Sequence, residues 1–240
     1  MSWQNPKTNW TSADGVRNTD FNRIEGNILY LFNDAAREDV TLYVSLSGND
    51  TTGNGTASSP YATLSKALSM LPKHLNGKNV NINVASGSYA DDVDIRGFSG
   101  GMLTITGSLG TTVSLRSLTI SFCTVMINSI NLNITGAGGV TITNGANLIT
   151  MSDFTLTSSG IKVSMCSRAH FAGKVTIRQS YTAIDVFANS SLYVGQILGN
   201  NNTVGLSATS GGQIAYNFNE IIAITAMYTS SGGRIITGVQ

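Results

Sequence analysis

Residues 42–71 read LYVSLSGNDTTGNGTASSPYATLSKALSML. They hold a candidate strand, a glycine–asparagine loop, a lone proline and a short helical pattern. A long run rich in valine, isoleucine and threonine follows. Leu64, Ala67, Leu68 and Leu71 recur at i, i+3, i+4 and i+7, so a one-faced helix is expected from about Ala62 to Leu71. Pro72 cannot continue it. Little else downstream looks helical, so a helix at this point needs a use.

The stretch behind it supplies one. From about residue 100 the chain repeats in hydrophobic triplets rather than in identical residues. One series is Leu118-Thr119-Ile120, Val140-Thr141-Ile142, Ile161-Lys162-Val163, Ile184-Asp185-Val186, Val204-Gly205-Leu206 and Ile222-Ala223-Ile224, whose last residues lie 22, 21, 23, 20 and 18 apart. A second, about eight residues later, is Val125-Ile127, Leu148-Thr150, Phe171, Leu192-Val194 and Ile214-Tyr216. A third ends at Ile134, Leu156, Ile177, Leu198 and Phe218. Within a triplet the outer residues are apolar and the middle one is mostly polar or small, so period-2 geometry turns the outer pair to one face. Three interleaved series at a near-constant period predict an all-β solenoid, a parallel β-helix with three strands per coil of about 21 residues. A β-sandwich would also give short strands, but not three series in phase. The first coil of such a solenoid has an unpaired edge, and a helix laid over it would serve as a cap.

Composition agrees. The 240 residues are 41% hydrophobic but only 11% charged, and 26 are glycine. Soluble domains average ~25% charge, and the missing charge is replaced by Ser, Thr, Asn and Gly, which favour strands and turns. A net charge of +1 gives no reason to expect nucleic acid as a partner. The start lacks the pattern of a signal peptide, and no apolar run reaches the ~20 residues of a membrane span. The expected site of synthesis is therefore the cytoplasm, without membrane insertion.

The stretch LYVSLSGNDTTGNGTASSPYATLSKALSMLP followed by VNINVASGSYADDVDIRGFSGGMLTITG resembles the opening of the pectate-lyase-like β-helix of phage tailspikes and related polysaccharide-active proteins. The matching features are Tyr43-Val44, Ser47 to Asp50, Pro60 to Thr63, the helix, and Gly87-Ser88-Tyr89, within residues 42–107. The resemblance implies a right-handed helix. A second resemblance lies upstream. Trp10, Asp20, Asn22, Arg23, Ile24, Glu25, Asn27 and Ile28 match the N-terminal segment of tail and baseplate proteins from phages of Gram-positive bacteria and from phage-tail-like bacteriocins. That resemblance implies attachment to the particle, a virion tail tip or baseplate, with Trp10, Asp20, Phe21, Arg23, Ile24, Glu25 and Ile28 as the attachment residues.

The same segment can be read from its residues. Asp20 can cap a helix. Phe21, Ile24, Ile28 and Leu31 are spaced 3, 4 and 3, a two-heptad seam that would staple a homotrimer held mainly by the β-helix. An amphipathic helix folded back on its own chain has the same spacing. The expected organisation is an attachment segment over residues 1–40, the first strand and capping helix over 41–78, and the β-helix over 79–240.

Chemistry is thinly represented. Glycoside hydrolysis uses two carboxylates ~5–10 Å apart, and beyond Asp94 the acids are Asp153, Asp185 and Glu220, which share no column. Asp91, Asp92 and Asp94 cluster near the cap, where turn roles are expected. His74 and His170 are far apart, with no triad and no metal-ligand spacing. The loop GNDTTGNG offers one carboxylate, Asp50, where Ca²⁺ takes several. No catalytic residue, metal or cofactor is assigned. Cys123 and Cys166 each lie three residues beyond a first-series strand, two coils apart, so ~9.6 Å would separate them and both are expected to be free thiols.

Sugar recognition uses aromatic faces with polar neighbours. Tyr181, Phe187, Tyr193, Tyr216 and Tyr228 are the candidates for a host cell-surface polysaccharide. The favoured expectation is a structural and adhesive trimeric tail spike or short fibre, not an enzyme. The alternative on the same fold is a polysaccharide hydrolase or lyase with its active site between subunits. A bacterial surface adhesin is the third reading, which the start of the chain disfavours.

Overall fold

A computed structural model of the chain describes residues 4–11, 13–33 and 35–237. For residues 30–33, 109 and 218–226 it describes the backbone alone. Among the described residues, two helices and fourteen strands follow one another, beginning with α1 (Asn18–Asn33), β1 (Val40–Val44), α2 (Leu64–Met70), β2 (Val80–Val84), β3 (Gly87–Ser88) and β4 (Asp92–Arg96). Then come β5 (Met102–Ser121), β6 (Thr124–Thr143), β7 (Asn147–Thr150), β8 (Phe154–Thr157) and β9 (Ile161–Val163). β10 (Arg168–Arg178), β11 (Thr182–Val186), β12 (Ser191–Ala208), β13 (Gln213–Thr229) and β14 (Arg234–Thr237) follow. Every ladder between strands is parallel, and the whole is a β-solenoid of about seven turns.

The ladders stack the predicted series into columns. The second series runs longest, through Val40, Val80, Leu103, Val125, Leu148, Ala169, Leu192, Ile214 and Ile235. Two residues on, Leu42, Ile82, Ile105, Ile127, Thr150, Phe171, Val194 and Tyr216 form its inward companion. The first series joins Val93, Leu118, Val140, Ile161, Ile184 and Leu206. The third joins Val113, Leu132, Phe154, Val175 and Ile197. These side chains fill one continuous core, with Phe154 and Phe171 edge to face at 5.0 Å. Each fully buried Leu, Ile or Phe contributes on the order of 1.5–3 kcal/mol.

Three expected positions move. Ile184 and Val186 pair with Leu206 and Ala208, two residues beyond the triplet at Val204–Leu206. Leu206 in turn pairs with Met227 rather than with Ile224. In the third series Ile197, not Leu198, takes the inward place, because Val175 pairs with Ile197 and Ile177 with Gly199. A bulge between Phe171 and Lys174 changes the offset between coils, and a one-residue slip turns a side chain to the other face.

The corner between the first and second series explains how the chain turns without losing pairing. Successive coils place left-handed pairs there: Asn144-Gly145, Met165-Cys166, Ala188-Asn189, Ser210-Gly211 and Ser231-Gly232. For a residue with a Cβ this conformation is costly. In the first four pairs it is held because the second residue donates its N–H to the next coil: Gly145 to Met165, Cys166 to Ala188, Asn189 to Ser210 and Gly211 to Ser231, at 2.9–3.1 Å. The corner at Phe122 has one residue fewer. Cys123 therefore points inward and Cys166 outward, so the two cysteines are not in phase as their spacing suggested; both are free thiols. Burial pushes the Cys123 thiol above its usual range.

α2 caps the first coil, packing on β4 and β1 with Leu64, Ala67 and Leu68 buried. It begins at Leu64 rather than Ala62, because Thr63 is its N-cap and accepts from the Lys66 N–H. Asp50 secures that cap: its carboxylate accepts from the Ala62 and Thr63 N–H groups and from the Thr63 hydroxyl. Asp91 reaches across from the start of the next turn to accept from the Leu64 N–H at 3.1 Å. Leu71 lies in extended conformation before Pro72 and ends the helix.

Candidate binding surfaces

Alternation along β10, β12, β13 and β14 sends one inward column into the core and leaves two outward columns side by side. One is Asn147, Arg168, Ser191, Gln213 and Arg234; the other is Met126, Ile149, His170, Tyr193, Ala215 and Ile236. Between them lies a groove of about 420 Å³, lined by residues from Asn147 to Ile236. The His170 and Tyr193 rings meet edge to face with centroids 4.8 Å apart. The Asn217 amide donates to the Tyr193 hydroxyl at 2.8 Å, fixing the ring tip. Among the described residues, no Asp or Glu lines this groove.

Only Tyr193 of the five aromatic candidates belongs to it. Tyr216 is 5% exposed and pairs with Val194 on the inward column, which agrees with its place in the second apolar series and corrects its candidacy as a glycan contact. Tyr181 is 80% exposed at a corner before β11. Phe187 follows β11, half-buried, with the Lys162 ammonium 5.0 Å from its ring centre. Tyr228 is half exposed on the first-series face, in register with Ser207. Arg168 and His170, which look scattered in sequence, are brought together with Tyr193 by adjacent outward positions and a 23-residue offset between β10 and β12. That offset, once the register is known, was the signal.

The carboxylates are largely engaged in structure. Asp50 and Asp91 fix α2, Asp92 accepts from Ser117 at 2.8 Å and pairs with Arg116 at 2.6 Å, and Asp94 pairs with Arg96. Asp153 accepts from the Lys174 N–H at 2.8 Å. Asp185 stands on the outward first-series column in register with Lys162, on a different column from Asp153. The Glu220 side chain lies outside the described residues. Among the described residues, no three His, Cys, Asp or Glu side chains converge as a metal-binding group.

The second surface is α1. Its start is at Asn18, so Asp20 sits within the first turn rather than before it; its carboxylate reaches back to accept from the Arg17 N–H at 3.1 Å. Asp20, Arg23 and Asn27 lie on one face. The Arg23 guanidinium is 3.5 Å from Asp20 and donates to the Asn5 carbonyl, while Asn27 exchanges two hydrogen bonds with the Gln4 backbone at 2.8 and 2.9 Å. This face straps the N-terminal residues to the helix. Trp10 lies beyond the strap, 40% exposed, under the Lys7 ammonium. About 100° round, Phe21, Ile24 and Ile28 are 57, 45 and 59% exposed. Glu25 and Asn22 are exposed too. The Leu31 side chain lies outside the described residues. Among the described residues, no strand makes more than a marginal contact with α1.

No family model, curated protein or solved structure matches this chain.

Proposed function

We propose that this chain is a structural and adhesive subunit of a phage tail, a tail spike or short fibre. It is anchored to tail or baseplate proteins through residues 1–40, is trimeric, and presents its β-helix to a host-surface glycan. The observation that carries the reading is the apolar stripe Phe21, Ile24 and Ile28, which stands open on α1 while the strap occupies the neighbouring face. Exposed apolar stripes of this spacing are matched by copies of themselves in short coiled coils. The resemblance of residues 10–28 to particle-attachment segments, and of residues 42–107 to tailspike β-helices, points the same way. Engagement of Asp50, Asp91, Asp92, Asp94 and Asp153 in caps, pairs and backbone bonds favours adhesion over hydrolysis.

Light scattering tests it. The full chain is expected at three times 25.2 kDa. A form lacking residues 1–40 that stays trimeric would leave the segment free to act as the anchor. A monomer at both lengths would remove the reading.

A further inference from the structure

We infer that the groove beside Tyr193 is a binding site for an anionic sugar polymer, carrying carboxylate or phosphate groups. The inference rests on the adhesive reading above and names its ligand class. A sugar ring offers an apolar C–H face and a polar edge, and the two outward columns offer the complement. Ile149, Tyr193, Ala215 and Ile236 make an apolar strip. Beside it runs the column that holds Arg168 and, three rungs further on, Arg234.

The charge pattern selects the class. The Arg168 guanidinium makes no hydrogen bond or ion pair among the described residues, and the residue is exposed on the groove edge. Guanidinium forks match carboxylate and phosphate oxygens in a bidentate way. With no Asp or Glu among the described residues of the lining, no carboxylate there competes for Arg168. Arg234 stands three rungs along the same column, hence ~14 Å away, with Ser191 and Gln213 on the rungs between. Two cations at that separation along a straight strip suit a repeating anion better than a single small one. His170 and the Asn217 bond hold the Tyr193 ring in place at the centre.

The experiment is titration calorimetry of the full chain with four probes: oligogalacturonate, poly(glycerol phosphate), neutral dextran oligosaccharide and a single-stranded oligothymidylate. Variants are Arg168→Gln, Tyr193→Ala and, as a control on an exposed aromatic outside the groove, Phe122→Ala. Binding of one of the two anionic sugar probes is expected. It should weaken about tenfold or more in Arg168→Gln and Tyr193→Ala, with Phe122→Ala unchanged. Which of the two binds distinguishes a uronate-type from a phosphate-type polymer. Equal binding of dextran, preference for the oligothymidylate, binding indifferent to both groove variants, or no binding by any probe would each overturn the inference. A trimer that fails these titrations leaves the spike reading standing, whereas a monomer that passes them removes the spike and keeps the groove.

Discussion

In α2 the residues Leu64, Ala67 and Leu68 are at most 5% exposed, while in α1 Phe21, Ile24 and Ile28, spaced just as a helix requires, are 45–59% exposed. The amphipathic pattern alone does not decide between these outcomes. α2 has an uncovered coil to sit on, and two carboxylates from elsewhere in the chain pin its N-terminus there. α1 carries its own strap instead, which satisfies one face and leaves the other open. A short helix in isolation is marginal, so each needs outside help: α2 from the core, α1 from the strap and, on our proposal, from other copies of the chain.

The contrast can be broken from the α2 side first. Leu68→Ala should cost about 2–5 kcal/mol in denaturant unfolding; a loss under 1 kcal/mol would mean that the cap is dispensable. Asp50→Ala removes three hydrogen bonds to the cap and should cost about 1–3 kcal/mol. If it leaves the unfolding midpoint where it was, the loop does not secure α2. On the α1 side, Asn27→Ala should release the strap at a local cost of about 1 kcal/mol. Hydrogen exchange would read it as faster exchange at the Gln4 amide with global stability unchanged.

Ile24→Ser combined with Ile28→Ser should alter subunit stability by less than about 0.5 kcal/mol, yet weaken the trimer as read by solution mass at low concentration. An unchanged mass at every dilution would sink the seam. The smallest effect is one of pH. Hydrogen bonds from Lys7 and Thr11 hold the Asp14 carboxyl down at about 2, against its ordinary 3.8. A depressed acid stabilises above its unfolded value and loses that contribution as pH falls through its folded one. The Thr11–Asp14 contacts should therefore loosen from just below pH 4 to about pH 2, seen as faster exchange at the Thr11 amide than the acid-adjusted intrinsic rate allows.

How much was legible follows from what sets each feature. Apolar alternation gave the columns, since a buried β face dictates every second residue. Leu198 and the Val204–Leu206 triplet misled because Ile197 and Leu206–Ala208 offer the same alternation one or two residues away, and a bulge at Phe171–Lys174 decides between them. The left-handed corners at Met165-Cys166 and Ala188 carry no glycine to announce them; inter-coil hydrogen bonding enforces them. Tyr216 stood both in the second apolar series and among the glycan candidates, and its register decides for the core. Arg168, His170 and Tyr193 looked unrelated for the same reason: adjacency across coils is invisible until the offset is known.

The parallel ladders have a mechanical meaning. Their hydrogen bonds run along the long axis, so each coil advances the chain by only ~4.8 Å. A single coil of about 22 residues, pulled out straight, would release on the order of 70 Å of slack. Axial compression presses packed side chains together, whereas axial tension loads one rung of hydrogen bonds at a time. The molecule is thus a strut rather than a rope: stiff when pushed end-on, and able to pay out length coil by coil when pulled.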